Sequence, residues 1–363
     1  MARALRLAEQ GNYSVTPNPS VGCVIVSATG KVVGEGFHYK SGTAHAEVHA
    51  LEQAGLLAKS ATAYVTLEPC SHYGRTPPCA LALINAGIQK VVIAVLDSNP
   101  EVAGKGVKLL EDAGIVVKVG LMQQQAEQLN IGFFTRMRTG RPYIRLKLAA
   151  SLDGKTALQN GKSQWITSDD ARRDVQLERA KSCAILTGSG TALADNPRLN
   201  VRSNELPDSV AKAFLQREAQ PLRVVIDGKN RLHDELILCS DGSLTRIYNC
   251  MGNNKLGSTS VSQVQLPLPE NERHVDLSRM LDDLGAQGLN NIWVEAGAKL
   301  AGAMLEANLV DELILYLAPK FLGGGARELL STLPKQDLQE AINTRVSSIT
   351  QVGPDIKIIC QMR

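Results

Sequence analysis

His45-Ala46-Glu47 stands ahead of Glu68-Pro69-Cys70 and, after eight intervening residues, Cys79. One histidine and two cysteines make a three-ligand set for zinc, which leaves the fourth tetrahedral position open, as in catalytic zinc sites. Zinc lowers the pKa of a water in that position to roughly 7, so hydroxide is available at neutral pH. Glu47 follows the first ligand by two residues and is placed to transfer protons. The pattern predicts a catalytic zinc site, with one zinc ion and Glu47 as its acid-base residue.

The spacing of the two cysteines departs from the general deaminase pattern. Nucleobase deaminases carry His-x-Glu and then Pro-Cys-x-x-Cys, whereas eight residues separate Cys70 from Cys79 here. Gly74 and Pro77-Pro78 are residues that build a loop which leaves and returns, so both thiolates can reach one metal. The alternative is a closed, four-ligand structural site, which the spacing of the remaining cysteines and histidines does not favour. We therefore expect hydrolytic deamination of an amino-bearing ring.

Composition limits the classes of protein to which the chain can belong. Its 363 residues suggest two domains, and its 44% hydrophobic and 21% charged residues are ordinary for a globular protein. A net charge of +3 and only 4% aromatic residues disfavour a nucleic-acid partner. We find no secretory signal and no apolar run of the ~18 residues that a membrane helix needs. Seven cysteines without a disulfide pattern suit a reducing compartment, so we expect a cytoplasmic enzyme with a small substrate and no membrane partner.

Strand and helix patterns alternate through the first half of the chain, as in an α/β sheet. Predicted strands are 21–26, 31–37, 63–67, 90–96 and 115–119, and predicted helices are 1–10, 44–53, 79–86, 106–113 and 123–130. His45 and Glu47 then lie in the first turn of one helix. If Cys70 and Cys79 both lie at or near helix starts, the unpaired N–H groups there would stabilise their thiolates. A basic, turn-rich segment places the domain border near residue 140, giving domains 1–140 and 141–363.

The second half also reads as an α/β domain with its own core. Predicted strands are 143–149, 184–187, 222–226, 245–248, 292–294 and 313–317, and predicted helices are 169–181 and 298–307. Residues 251–272 are polar and turn-rich and are predicted to be a surface loop. Gly161-Lys162-Ser163 lacks the earlier glycine of a P-loop, because Thr156 stands in that place. Gly188-Ser189-Gly190 has Leu193 in place of the third Rossmann glycine, so neither nucleotide fingerprint is present.

Two features of the second half leave alternatives open. Val294 to Gly302 passes from a strand into a helix whose N-terminus could bind an anion, but a plain tight turn explains the glycines equally well. Arg172, Arg173, Arg179, Arg198 and Arg202 cluster with Asp195. Arg172 and Arg179 share a helix face, and by itself such a stripe is more often a solvated surface.

The quoted motifs together resemble the bifunctional riboflavin-biosynthesis deaminase-reductase family. In the first half the resemblance rests on 18–23, His45 to Glu47 and the eight-residue cysteine gap of 69–79. In the second half it rests on 147–154, 164–167, Asp195-Asn196-Pro197 and 294–297. It covers nearly the whole chain and implies a cytidine-deaminase-like three-layer α/β/α domain followed by a dihydrofolate-reductase-like α/β domain.

The resemblance also implies two successive reactions. The first is deamination of 2,5-diamino-6-(5-phosphoribosylamino)pyrimidin-4-one to 5-amino-6-(5-phosphoribosylamino)uracil with zinc, and the second is reduction of the ribosyl group to ribityl with NADPH. Small phosphorylated pyrimidines are then the partners, and a homo-oligomer is expected. Two rivals are a deaminase whose second half is a noncatalytic sugar-phosphate or partner-binding module, and a deaminase that edits nucleic acid.

The family's site residues transfer to this chain position by position. Contacts to the deaminase substrate fall on Asn18, His38, His72, Arg75, Asp97 and Asn99. Cofactor contacts fall on Ala149, Trp165, Thr191, Asp195, Gly297, Ala298, Lys299, Leu300, Ala301, Gly302 and Ala303. Contacts to the reductase substrate fall on Ser163, Arg179, Leu199, Arg202 and Glu295. With this implication the arginine cluster is better explained as a phosphate site. No proton donor for the hydride step is evident; Asp195 is a candidate, and an equal alternative is that it only binds the cofactor.

Overall fold

The chain divides into two compact units in a computed structural model that describes residues 1–71, 73, 77–99, 103–268 and 271–362. The first unit is Met1–Gly140 with Asp208–Ala219, and the second is Arg141–Pro207 with Gln220–Arg363. The segment Asp208–Ala219 lies beyond the border placed near residue 140, yet it packs with the first unit.

The first unit is built on a five-stranded mixed sheet. Its described helices are α1 (Ala2–Glu9), α2 (Ala46–Ala54), α3 (Cys79–Asn85), α4 (Lys105–Asp112), α5 (Gln123–Leu129) and α6 (Ile131–Thr139). Its strands are β1 (Gly22–Val26), β2 (Val32–Phe37), β3 (Thr62–Val65), β4 (Lys90–Ile93) and β5 (Val116–Val119). The strand order is β2-β1-β3-β4-β5, with β1 antiparallel to both neighbours and β3, β4 and β5 parallel.

Helices cover both faces of this sheet. In β1 and β2, Cys23 pairs with Gly36, so both face one side, and Gly22 pairs with Phe37 on the other. A Cβ added to Gly36 would meet α2, whereas one added to Gly22 would meet α1. One core therefore lies between the sheet and α2, α3 and α4, and another lies under α1, α5 and α6. This is the predicted three-layer arrangement.

The second unit contains a nine-stranded sheet. The elements, in chain order, are β6 (Tyr143–Ser151), β7 (Lys155–Ala157), α7 (Asp169–Ala180), β8 (Ala184–Gly188), α8 (Ser189–Asp195), α9 (Asp208–Leu215, in the first unit), β9 (Leu222–Ile226), α10 (Ile237–Ser240), β10 (Thr245–Asn249), β11 (Val261–Gln265), β12 (Pro267–Leu268), β13 (Asn271–Val275), α11 (Leu277–Ala286), β14 (Asn291–Glu295), α12 (Ala298–Glu306), β15 (Glu312–Ala318), β16 (Arg327–Glu328), β17 (Thr344–Val352) and β18 (Asp355–Met362).

Seven parallel strands of this sheet are followed by an antiparallel pair. The order is β11-β10-β9-β8-β14-β6-β15-β18-β17, and β18 is antiparallel to both of its neighbours, β15 and β17. Buried residues of α11 and α12 pack on one face, and those of α7, α8 and α10 pack on the other. The α/β class predicted for this half is confirmed.

Residues 251–272 contradict the prediction of a surface loop. Val261–Gln265 forms β11 and pairs in parallel with β10 at the edge of the main sheet. The segment escaped the sequence pattern because its strand is polar, with Ser262, Gln263 and Gln265 in five residues. No helix among the described residues is both long enough and apolar enough to cross a membrane.

Candidate active site

The predicted zinc ligands meet between the starts of two helices. His45 is the N-cap residue of α2, and Cys79 is the first residue of α3. The His45 Nδ1 atom lies 3.2 Å from the Cys79 Sγ atom and 3.6 Å from the Cys70 Sγ atom. All three ligand atoms lie within 4.8 Å of one another. Tetrahedral zinc, with bonds of about 2.1 Å to nitrogen and about 2.3 Å to sulfur, needs separations of about 3.5–4 Å, so the triad fits this metal.

Cys70 does not lie at a helix start. It follows β3 in an irregular segment, and Pro69 keeps the residue before it out of helical conformation. Its thiolate nevertheless receives a helix N-terminal donor, because the Cys79 N–H lies 3.3 Å from the Cys70 Sγ atom. The start of α3 therefore serves both cysteines.

The two thiols shift each other's pKa in opposite directions. Hydrogen bonds from the Cys79 thiol and from His45 lower the pKa of Cys70 to about 4. The hydrogen bond to the Cys70 thiolate and burial raise the pKa of Cys79. A cation held between the two sulfur atoms would favour ionisation of the second thiol. A His and Cys₂ donor set of this kind suits zinc.

Glu47 lies in the first turn of α2 and is buried beside the ligands. Burial raises its pKa to about 7, while His45 acts in the opposite direction, and its carboxyl group hydrogen-bonds to Cys79. A carboxyl group with a pKa near 7 can both accept and return a proton at neutral pH.

Asn18 and His38 form a second pair next to the triad. The His38 and His45 rings meet edge to face with centroids 5.2 Å apart. Burial lowers the pKa of His38 to about 4, so its ring is neutral at pH 7. Its Nδ1 atom lies 3.1 Å from the Ala44 carbonyl oxygen, which can only accept. Nδ1 therefore carries the proton, and Nε2 accepts from the Asn18 amide at 3.2 Å.

Two of the other predicted contacts of the deaminase substrate, Asp97 and Asn99, follow β4 in an irregular segment. Asp97 accepts the Asn99 N–H at 2.7 Å, and its own N–H donates to Glu68, two residues before Cys70, at 3.2 Å. The structure thus connects Asp97 and Asn99 with the segment that carries a metal ligand. His72 and Arg75 lie outside the described residues.

Two of the predicted cofactor residues, Thr191 and Gly297, lie at helix starts that follow the carboxyl ends of parallel strands. Here β8 leads into α8, and β14 leads into α12 through Gly297, the N-cap residue. A Cβ on Gly297 would lie 3.7 Å from the Thr191 Oγ1 atom, so the two helix starts are adjacent. They offer N–H groups to a pyrophosphate, and the residues at this edge fit a dinucleotide.

Not every residue of the 297–303 stretch faces that edge. Ala301 belongs to the hydrophobic core, and a Cβ on Gly302 would collide with the Ser331 carbonyl oxygen. Gly302 therefore allows α12 to pack closely against Ser331. Trp165 is 63% exposed and stacks under the Arg172 guanidinium, with 4.3 Å between the Arg172 Cζ atom and the ring centroid. Asp195 ends α8, and burial raises its pKa.

Arg179 and Glu295 form a fork-to-fork ion pair. The two bonds measure 2.6 and 2.9 Å, and a third guanidinium N–H donates to the Asn200 carbonyl oxygen at 2.9 Å. Leu199, the residue before Asn200, is buried. Arg202 is 48% exposed and pairs with Glu205 at 2.9 Å. Ser163 lies in the irregular segment between β7 and α7. Of the two arginines predicted to contact phosphate, Arg202 has the more accessible guanidinium.

Lys147 was missed by the sequence analysis. It lies on the central strand β6 and interacts electrostatically with Glu295 and Arg179. Burial lowers its pKa, Glu295 opposes this effect, and Arg179 adds to it. In the sequence, only its position in the motif 147–154 pointed to Lys147. Its proximity to Glu295 arises from the pairing of β6 with β14, which the sequence pattern does not reveal.

Comparisons with known proteins agree with both halves of this description. The family described as cytidine and deoxycytidylate deaminase zinc-binding region matches residues 1–95, and the RibD C-terminal domain family matches residues 142–358. The riboflavin biosynthesis protein RibD of Escherichia coli K12 is 52% identical, covering 98% of this chain and 96% of that protein. The Haemophilus influenzae protein of the same name is 49% identical, covering 99% and 95%.

Solved structures give the same result. Acinetobacter baumannii RibD superposes with a TM-score of 0.92 at 42% identity, covering all of this chain and 97% of that one. A diaminohydroxyphosphoribosylaminopyrimidine deaminase/5-amino-6-(5-phosphoribosylamino)uracil reductase of Thermotoga maritima superposes with a TM-score of 0.87 at 30% identity, with the same coverage. A noncatalytic second half is not favoured, since that half matches the RibD C-terminal domain over 142–358. The chain therefore belongs to the RibD family of bifunctional riboflavin-biosynthesis enzymes, which combine a zinc-dependent deaminase with an NADPH-dependent reductase.

Proposed function

We propose that residues 1–140 deaminate 2,5-diamino-6-(5-phosphoribosylamino)pyrimidin-4-one and that residues 141–363 reduce the ribosyl group of the product to ribityl. The observation that carries the first step is the convergence of His45, Cys70 and Cys79 around buried Glu47. The substrates are small phosphorylated pyrimidines, and we infer that the enzyme works in the cytoplasm.

In the deaminase step, His45, Cys70 and Cys79 would hold zinc, which supplies an activated water when bound. Glu47 accepts one proton from the attacking water and passes it to the ring nitrogen, then accepts the second from the new hydroxyl and passes it to the amino group, which leaves as ammonia; its pKa of about 7 permits both transfers at neutral pH. Asn18 and neutral His38 bind and orient the pyrimidine. Asp97, Asn99, His72 and Arg75 complete the substrate contacts.

In the reductase step, the strand ends and helix starts near Thr191 and Gly297 bind NADPH, which supplies a hydride when bound. Reduction of the sugar also requires a proton. We infer that Lys147 donates it, because the pairing of β6 with β14 brings Lys147 beside Glu295 and burial lowers the pKa of its ammonium group. Arg179 holds Glu295 beside it, while Arg202 binds the phosphate.

One experiment with two reciprocal variants tests the assignment. We expect Glu47→Gln to lose ammonia release by at least about 100-fold while it still oxidises NADPH with supplied 5-amino-6-(5-phosphoribosylamino)uracil. We expect Lys147→Met to release ammonia normally and to lose NADPH oxidation. In each variant the reaction of the unsubstituted unit should be retained, and a wild-type Tm for the substituted unit is the folding control. Ammonia release by Glu47→Gln at the wild-type rate, or NADPH oxidation by Lys147→Met at the wild-type rate, would remove that residue from its proposed role.

A further inference from the structure

Glu68 is a buried carboxylate that accepts hydrogen bonds from four backbone N–H groups. Its Oε2 atom accepts from Asp97 at 3.2 Å and from Gly104 at 3.0 Å. Its Oε1 atom accepts from Gly106 at 2.9 Å and from Val107 at 3.2 Å. Hydrogen bonds to a charged acceptor are stronger than those between neutral groups. This one side chain therefore holds the backbone in place at Asp97 and at three residues of 104–107.

Three of these donors belong to the start of α4. Gly104 is its N-cap residue, and Gly106 and Val107 lie in its first turn. The first N–H groups of a helix have no partner within the helix, and the helix dipole favours an anion there. Gly104 has no side chain that could cap the helix. The Glu68 carboxylate caps it instead, from the segment that carries the metal ligand Cys70.

The contact between the two segments is also close in the backbone. A Cβ added to Gly106 would collide with the Pro69 carbonyl oxygen. The start of α4 therefore packs directly against Glu68 and Pro69, the two residues before Cys70, and both packing and hydrogen bonds hold it there.

The fourth donor connects this cap with the substrate. The Asp97 N–H is held by Glu68, and the Asp97 carboxylate in turn accepts the Asn99 N–H at 2.7 Å. Both residues are proposed substrate contacts. A shift of Glu68 would therefore move them relative to the metal ligand Cys70, two residues further along the chain.

We propose that Glu68 is a positioning residue of the deaminase, which sets Asp97 and Asn99 at the distance from the metal that the phosphorylated pyrimidine requires. The proposal rests on the proposed function, because it assumes that Asp97 and Asn99 bind this substrate. Glu68 itself takes no part in the chemistry. Loss of the Glu68 carboxylate should weaken substrate binding far more than it slows the reaction of the bound substrate.

Glu68→Gln in the full-length, zinc-loaded enzyme tests the proposal. The amide keeps one acceptor oxygen but points an NH₂ group at two of the four N–H donors. We expect the KM for the pyrimidine substrate in ammonia release to rise at least about tenfold, with kcat changed less than about threefold and zinc content unchanged. Glu68→Asp keeps the charge but is shorter, and we expect a smaller rise in KM.

Leu110→Ala is the matched control. Leu110 is buried on the same helix but contributes to the core, so its truncation destabilises α4 without removing the cap. We expect a lowered Tm and a wild-type KM. An unchanged KM in folded Glu68→Gln, or an equal rise in Leu110→Ala, would overturn the proposal. If Glu68→Gln does not fold, an unchanged KM in Glu68→Asp overturns it equally. Absence of ammonia release from the wild-type enzyme would instead overturn the proposed function.

Discussion

At the scale of single residues, the ion pair of Glu295 makes stability depend on pH. Burial alone would raise the pKa of Glu295, but Arg179 and Lys147 lower it to about 2 from an ordinary 4.5. Because the folded pKa is depressed, the stabilisation is fully present above about pH 4.5 and is lost as pH falls toward 2. Its size is about 3 kcal/mol. We expect the free energy of unfolding of Glu295→Gln, measured by urea titration between pH 6 and 3, to fall less steeply than that of the wild type.

Glu235→Gln controls for the loss of a carboxylate, since Glu235 is exposed at the surface, and its curve should follow the wild type. Parallel curves for Glu295→Gln and the wild type would contradict the ascribed role of the Arg179 pair.

At this scale the zinc triad and Glu47 could be predicted from sequence because the chemistry requires those residue types at short range. Lys147 and Glu68 could not, because their partners lie far along the chain: Glu295 for Lys147, and Asp97 with the start of α4 for Glu68.

At the scale of elements, the approach of α2 to β2 fixes where His45 and Glu47 stand. A Cβ on Gly36 would lie 2.7 Å from the His49 Cβ atom and 2.8 Å from the Ala50 N atom, both in α2. Gly36→Ala should therefore push the helix outward, at a cost of about 1–3 kcal/mol. We expect a lower Tm and weaker zinc retention in competition with a chelator. Val32→Ala, at an exposed position of the same strand, should retain zinc normally, and equal zinc retention by both variants would contradict the argument.

Strands that form short runs of apolar residues were predictable from the sequence. Strands that are stabilised mainly by pairing with a neighbouring strand were not. β1, β4 and β9 are short, buried apolar runs, and each was predicted close to its observed bounds. β11 was missed because it is polar. β17 and β18 were also missed: the described side chains of β17 are mostly exposed, so the strand is held by its pairing with β18 rather than by an alternating pattern.

At the scale of the whole molecule, the zinc ligands and the proposed cofactor residues lie in different compact units with different cores. A ligand stabilises the unit that binds it by RT ln(1 + [L]/Kd), about 2.7 kcal/mol at 100 times Kd. For a unit of this size that is a rise of roughly 5–10 °C in Tm.

We expect calorimetry to resolve two transitions, one lowered by a zinc chelator and restored by zinc, and the other raised by NADPH. NADH serves as the comparison ligand for the second transition, and zinc re-addition is the control for the first. A single transition that both treatments shift would show that the two units unfold as one, and a transition insensitive to NADPH would contradict the placement of the cofactor at Thr191 and Gly297.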